Sequence, residues 1–165
     1  MATTEIPSIM LVEDSLDDEL LAQRGISKAK IPCKVVVTRD GAEALDTLLN
    51  RQNELPSLVV LDYRLPKFTG LQVLERLRAE ERTSCLPVVI FSGTNSDSNL
   101  KQCYKTGANS CVRKPDHPAD YIERLVTMTQ YWLSVNRCSD APPDAWVRRR
   151  PQGHTLANSS ASELL

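Results

Sequence analysis

Residues 58–70 read LVVLDYRLPKFTG, and this stretch does most to decide the fold. Its first four residues, Leu58 to Leu61, are apolar at every position, which is typical of a parallel strand buried on both faces. The acidic residue Asp62 follows directly, and a loop then runs to Gly70. The stretch therefore predicts a central strand with helices on both sides and a charged side chain at its carboxyl end.

The rest of the chain alternates between short runs rich in β-branched residues and longer segments with apolar residues at helical spacing. We predict four further strands, at residues 9–12, 34–38, 88–91 and 110–113. Each strand is followed by a predicted helix: after Ser15 as N-cap, from about Gly41, around Leu71 to Leu77, over residues 96–105, and from about Ile122 to Val135. We expect Gly25 to weaken or end the first of these helices.

Five βα units of this kind predict an α/β fold, because crossovers between parallel strands are right-handed. The expected architecture is a doubly wound (βα)5 three-layer sandwich with a parallel sheet in the order 2-1-3-4-5, which is the flavodoxin-like arrangement. The strand at residues 110–113 has only two apolar side chains, so we place it at an edge of the sheet.

The length of 165 residues is that of one domain. We predict an N-terminal leader at residues 1–7, a single domain at residues 8–135 and a flexible C-terminal tail at residues 136–165. The tail prediction follows from composition, since the run from Pro142 to Ser162 contains no apolar period that could bury a face.

The charge balance and the apolar runs exclude several classes of partner. Twenty Lys and Arg residues face 21 Asp and Glu residues, so no strong field draws the protein to nucleic acid or to an anionic membrane. No apolar run is long enough to span a bilayer, and residues 1–6 do not resemble a signal peptide. Five cysteines without a CxxC pair are typical of reduced thiols rather than of a zinc site. We therefore expect a cytoplasmic protein with neither a membrane nor a nucleic-acid partner.

Polar side chains follow four of the predicted strands at the point where each strand ends. They are the pair Glu13-Asp14, Asp62, Ser92 and Lys114. The carboxyl ends of parallel strands share one edge of a sheet, so these side chains should lie close together. Carboxylates gathered in this way repel one another, and a hard divalent cation such as Mg²⁺ relieves the repulsion with ligands of its preferred type. Any one of these acids taken alone is equally well explained as a helix N-cap or a solvated loop residue.

A metal ion and an ammonium group together can neutralise a phosphoryl group while a carboxylate attacks phosphorus. Asp62 is the candidate nucleophile, since it follows the most buried strand. Lys114 would pair with one phosphoryl oxygen, and the Ser92 hydroxyl would donate a hydrogen bond to another. The simpler alternatives are a strand-end turn at Ser92-Gly93 and a solvated surface role for Lys114.

With these residues in place, residues 8 to about 135 resemble the receiver domain of a two-component response regulator. Glu13-Asp14 stands where that family has its acidic pair, Asp62 at the phosphoacceptor, Ser92 at the switch Ser/Thr and Lys114 at the lysine before a proline. The resemblance implies a phosphoacceptor signalling protein rather than a turnover enzyme, with a histidine kinase as the phosphoryl donor. It also implies that Asp14 and Asp62 ligate Mg²⁺ directly, that Glu13 acts through water, and that Arg64 gives its backbone carbonyl.

The resemblance extends to the stand-alone receivers that accompany bacterial and cyanobacterial phytochrome kinases, through the strand at residues 34–38 and the aromatic run Tyr131-Trp132-Leu133. It implies a homodimer through strand five and the last helix, although both aromatics could instead close the base of the domain. The sequence departs from many receivers at Cys111, where a switching Tyr or Phe is common. An aromatic switch is therefore not assumed.

Two other functions use the same fold. A small Mg²⁺-dependent phosphohydrolase would use Asp62 as a transient nucleophile, but it needs a second placed acid or base, and Arg64 stands two residues after Asp62. A flavodoxin-like cofactor binder would need amides and hydroxyls in its first loop, where Glu13-Asp14 would repel a phosphate. Output through DNA is not expected, because no helix-turn-helix pattern follows the domain.

Overall fold

A computed structural model describes residues 6–93 and 96–137. Five strands alternate with five helices, in the order β1 (Ser8–Val12), α1 (Leu16–Lys28), β2 (Lys34–Thr38), α2 (Gly41–Leu49), β3 (Leu58–Leu61), α3 (Gly70–Ala79), β4 (Val88–Ser92), α4 (Asp97–Thr106), β5 (Ser110–Arg113) and α5 (Pro118–Gln130). A π-helical turn, Tyr131–Val135, extends α5. All strand pairs are parallel and the sheet order is β2-β1-β3-β4-β5, which confirms the predicted flavodoxin-like topology.

Alternate side chains of the sheet point into two separate cores. One core lies between the sheet and helices α2, α3 and α4, and the other between the sheet and helices α1 and α5. Every residue of β3 is buried, as expected of a strand covered on both faces. The site described below therefore stands on a rigid central strand.

The first helix does not end at Gly25, so of the two expected effects of this glycine the termination of the helix was wrong. Ser15 caps the helix as expected, with its hydroxyl accepting from the Asp18 amide at 3.3 Å, but the helix continues to Lys28. Gly25 is there because α5 packs very close: a Cβ atom at this position would lie 2.5 Å from Leu125 Cβ and 2.8 Å from the Ile122 carbonyl oxygen. The glycine serves helix packing rather than helix termination.

The buried face of α5 is set by its packing against the sheet. Ile122 and Val126 are only half-buried, whereas the buried residues are Tyr121, Leu125, Met128 and Thr129. The Tyr121 ring packs edge-on against Phe91 of β4, with 5.0 Å between the ring centroids. This packing carries Tyr121 under the carboxyl end of the sheet.

Helix α4 is weakly anchored, as its sequence predicts. Cys103 is its only buried residue, while Leu100 and Tyr104 are about half exposed. Few buried contacts make local opening easy.

The predicted domain boundaries stay predictions, because residues 1–5 and 138–165 lie outside the described part of the chain. Within the described part, Cys33, Cys85, Cys103 and Cys111 are free thiols, of which Cys85 is exposed. No helix there is both long enough and apolar enough to cross a membrane.

We expect the substitution Gly25→Ala to destabilise the protein by about 1–3 kcal/mol, because overpacking the α1–α5 contact outweighs the gain of about 1 kcal/mol in helix propensity. Urea unfolding measures the change. Gly93→Ala is the matched control, since a Cβ atom at Gly93 meets nothing within 4 Å. Equal unfolding midpoints for the two variants would show that the close packing of α1 on α5 does not constrain the fold.

Candidate functional site

Backbone hydrogen bonds fix the residues that follow the strands. The Asp62 amide donates to the Val12 carbonyl at 3.0 Å, which holds the end of β3 beside the end of β1. The Lys114 amide donates to the Ser92 carbonyl at 2.9 Å, which holds the end of β5 beside the end of β4. The sheet ladder therefore continues one residue past the strands and places the polar side chains.

The ammonium group of Lys114 lies at the centre of the site. Its Nζ donates to Glu13 Oε2 at 2.6 Å, to Asp62 Oδ2 at 2.7 Å and to Asp18 Oδ2 at 2.9 Å. An ammonium group has three N–H donors, so each donor has one carboxylate. The sequence predicted that the strand ends bring Glu13, Asp62 and Lys114 to one edge of the sheet, and the structure places these three side chains together there.

Burial and charge act against each other on Lys114. Burial alone favours the neutral amine, but the charges and hydrogen bonds of Asp62 and Glu13 outweigh it and raise the Lys114 pKa. The lysine is therefore a permanent cation at neutral pH.

Glu13 is the most deeply buried acid of the site, with 2% of its surface exposed. Burial raises the Glu13 pKa to about 7, and the hydrogen bond and charge of Lys114 only partly oppose this. One lysine does not balance the acids gathered here, so the site has room for further positive charge.

The loop after β3 holds Asp62 in a fixed orientation. Asp62 Oδ1 accepts from the Arg64 amide at 3.1 Å, and the Gly70 amide donates to the Tyr63 carbonyl at 2.9 Å. A Cβ atom at Gly70 would lie 2.2 Å from the Asp62 carbonyl oxygen, so only glycine fits where α3 begins. The orientation of the Asp62 side chain therefore depends on Gly70, eight residues further along the chain.

Three carboxylates are arranged as a metal site would require. One oxygen from each of Glu13, Asp14 and Asp62 lies within 4.8 Å of the others, with Asp14 exposed to solvent. They border a cleft of about 480 Å³, which is also lined by Asp18, Arg64, Gly93, Lys114 and Tyr121. A set of hard oxygen donors with surplus negative charge fits a divalent cation of the magnesium or manganese type.

Ser92 lies beside this cleft rather than in its lining. It is buried at the end of β4 and borders a second cavity, of about 340 Å³, beneath α4. Cys103 and Cys111 line the same cavity, and the Cys111 amide donates to the Tyr104 hydroxyl at 3.3 Å. Burial raises the Cys111 pKa to about 12, so this thiol stays protonated. Of the predicted site residues, Ser92 alone faces the α4 side.

Asp18 and Tyr121 are site residues that the sequence reasoning missed. Asp18 lies four residues after Asp14 in the first turn of α1, and helical spacing could have indicated that it faces the same edge. No comparable signal marks Tyr121, because the register of α5 against the sheet sets its position.

A comparison with known proteins agrees with this geometry. The family model of the response regulator receiver domain matches residues 9–126. The probable methanogenesis regulatory protein FilR2 of Methanothrix harundinacea is 34% identical over 132 residues, covering 78% of this chain and 85% of FilR2. Response regulator Rcp1 of Synechocystis is 28% identical over 132 residues, covering 77% of this chain and 89% of Rcp1.

Two solved structures show the same fold. The Mn²⁺-bound form of Rcp1 superposes with a TM-score of 0.76 at 25% identity, over 81% of this chain and 99% of the Rcp1 chain. The phosphorylated cyanobacterial phytochrome response regulator RcpA superposes with a TM-score of 0.75 at 28% identity, over 80% of this chain and 97% of the RcpA chain. Since the family match covers well over half of the sequence, the chain belongs to the response regulator receiver domain family.

Proposed function

We propose that Asp62 accepts a phosphoryl group from a histidine kinase and that the phosphorylated protein signals by protein contact. The observation that carries the proposal is the ammonium group of Lys114, which is held 2.7 Å from the Asp62 carboxylate in a cleft open to solvent. Similarity to phytochrome response regulators supports a kinase of the phytochrome type as the donor. Such a kinase draws on ATP, so we place the protein in the cytoplasm.

The transfer itself needs little covalent chemistry from the protein. An oxygen of Asp62 forms a bond to phosphorus while the phosphorus–nitrogen bond of the phosphohistidine breaks, and the imidazole leaves with the bonding electrons and takes up a proton. Lys114 pairs with a phosphoryl oxygen and offsets the charge that gathers there. The Ser92 hydroxyl would donate to a second oxygen after a shift from its place beside the cleft.

We assign the carboxylates of Asp14 and Asp62 as direct ligands of Mg²⁺, with Glu13 acting through water and Arg64 through its backbone carbonyl. When bound, the ion neutralises phosphoryl oxygens and brings the donor to Asp62. Glu13 is deeply buried, and its carboxylate already accepts a hydrogen bond from Lys114 at 2.6 Å. Both observations support a contact of Glu13 with the metal through water rather than direct ligation.

A slow switch is favoured over a phosphohydrolase. Rapid hydrolysis of the acyl phosphate needs a general base beside the attacking water, and the residue two positions after Asp62 is the exposed cation Arg64. Phosphorylation would draw Ser92 toward Asp62 and disturb α4, whose anchoring is weak. With Cys111 in place of an aromatic residue, the change passes through the backbone of β4 and α4 and not through a ring flip. We propose no nucleic-acid partner.

A homodimer through β5 and the end of α5 is part of the proposal. Tyr131 and Val135 are 50% and 66% exposed in the turn that extends α5, and β5 lies at the edge of the sheet. Trp132 instead packs partly against the core under α1 and α5, so it serves the domain itself. Exposed apolar groups and an open strand edge both fit a symmetric contact.

We expect wild-type protein incubated with Mg²⁺ and acetyl phosphate to gain one stable phosphoryl group, as measured by intact mass. Asp62→Asn should gain none, because the amide is a poor nucleophile. Asp46→Asn on the exposed face of α2 is the matched control and should behave as wild type. Rapid release of many phosphate ions per protein molecule would instead favour the phosphohydrolase.

We expect Asp14→Asn to weaken Mg²⁺ binding at least about tenfold, or about 1.4 kcal/mol, in titration calorimetry. Asp17→Asn is the matched control, because Asp17 is an exposed acid three residues after Asp14 and loses the same charge. This variant should keep the Mg²⁺ affinity within a factor of about two of the wild-type value. Identical affinities for the two variants would remove Asp14 from the ligand set.

We expect Val135→Glu to shift the protein from dimer to monomer in sedimentation equilibrium, because two charges would be buried in the symmetric contact. Val36→Glu is the control, since Val36 is 42% exposed on β2 at the opposite edge of the sheet. A dimer that survives the substitution at Val135 but not that at Val36 would place the interface on β2.

A further inference from the structure

We propose that Asp18 is a clamp on Lys114, by which we mean that its carboxylate holds Lys114 in the unphosphorylated protein and releases it when Lys114 moves to the phosphoryl group. The Tyr121 hydroxyl then donates a hydrogen bond to the released Asp18 carboxylate. The inference rests on the proposed phosphorylation of Asp62. Asp18 and Tyr121 act as positioning residues, because neither is assigned a contact with the reacting atoms.

Lys114 must give up one of its partners before it can bind a phosphoryl oxygen. Its three N–H donors are already committed to Glu13, Asp62 and Asp18. The unphosphorylated protein therefore holds the lysine in a closed arrangement. Phosphorylation of Asp62 frees one of the three donors, and a second donor reaches the phosphoryl group only if Glu13 or Asp18 is released.

Asp18 is the partner that is released most easily. Its distance of 2.9 Å from Nζ is the longest of the three. Its side chain is 32% exposed, compared with 2% for Glu13 and 11% for Asp62, so water can solvate Asp18 after Lys114 leaves. Release of the buried Glu13 would leave an uncompensated charge in the interior, which is costly.

Tyr121 is placed to receive the released carboxylate. It is 3% exposed, and its hydroxyl has no hydrogen-bond partner among the residues that the structure describes. Tyr121 lines the same cleft as Asp18, and close packing of α1 on α5 brings the two helices together at Gly25. A buried hydroxyl without an acceptor costs free energy, and the cost disappears when an acceptor arrives.

The Tyr121 hydroxyl is a donor at every physiological pH. Burial raises the Tyr121 pKa first, and the negative charge of Asp18 is the largest contribution after burial. Asp18 is therefore the carboxylate that acts most strongly on this hydroxyl. The phenol therefore stays protonated and can donate a hydrogen bond to the Asp18 carboxylate.

Removal of each group should shift the phosphorylated state in opposite directions. Asp18→Asn weakens an interaction of the resting state and removes a negative charge near the incoming anion, so it should favour phosphorylation. Tyr121→Phe keeps the ring packed on Phe91 but removes the donor that receives Asp18, so it should disfavour phosphorylation. In the Asp18→Asn variant, the Tyr121 hydroxyl can donate only to a neutral amide oxygen, so its contribution should be smaller.

The test measures the affinity of full-length protein for beryllofluoride, an analogue of the phosphoryl group, by calorimetry at saturating Mg²⁺. We expect Asp18→Asn to bind about fivefold more tightly than wild type, and Tyr121→Phe about threefold more weakly. In the Asp18→Asn background, Tyr121→Phe should change the affinity less than about 1.5-fold. Asp17→Asn is the matched control for charge and should equal wild type.

Equal affinities for Asp18→Asn and Asp17→Asn would overturn the clamp, and so would an undiminished effect of Tyr121→Phe in the double variant. A general loss of stability cannot mimic the expected pattern, because the two single variants must move in opposite directions. Failure of the wild-type protein to bind beryllofluoride or to be phosphorylated would overturn the proposed function instead. The two failures are thus distinguished by the same set of proteins.

Discussion

The ammonium group of Lys114 donates to three carboxylates that come from separate parts of the chain: the end of β1, the first turn of α1 and the end of β3. With Asp14 nearby, four acids share one fixed cation. Coulomb repulsion among them would otherwise open the cleft or force a proton onto one of them. Burial raises the pKa of Glu13, Lys114 opposes this, and the negative charge of Asp62 adds a smaller increase. Lys114 balances the charge of these acids only in part, and a divalent cation bound by the carboxylates of Glu13, Asp14 and Asp62 would complete the balance.

The scaffold around this cation is built from close backbone approaches. Gly70 lets α3 begin against the Asp62 carbonyl, and Gly25 lets α1 lie against α5. The first contact constrains the turn that carries Asp62, and the second holds α1, which carries Asp18, against α5, which carries Tyr121. Rigid sheet positions at the acids and tight helix packing behind them mean that small rearrangements of side chains, rather than of the backbone, decide which partner Lys114 holds.

The sequence was sufficient where one local pattern decides the structure. The unbroken apolar run at β3 placed the central strand, and strand-end positions placed Glu13, Asp14, Asp62 and Lys114 at one edge. The sequence was insufficient where packing between residues far apart in the chain decides the structure. Gly25 looked like a helix end because its neighbours in α5 are a hundred residues away, and Tyr121 could not be identified without the register of α5 on the sheet. Asp18 was within reach of helical spacing, but an acid in a first helical turn has a sufficient local reason to be there.

Ser92 connects the cleft with the cavity beneath α4. Its backbone carbonyl accepts from the Lys114 amide at 2.9 Å, while its side chain borders the cavity beneath α4. A change in the hydrogen-bond partners of Lys114 would therefore act, through the Ser92 backbone, on the wall of residues between the cleft and this cavity. Beyond that wall, α4 is held by the single buried residue Cys103 and by the hydrogen bond from Cys111 to Tyr104. Since breaking few buried contacts costs little free energy, α4 is a helix that opens easily, which is what the proposed switch requires.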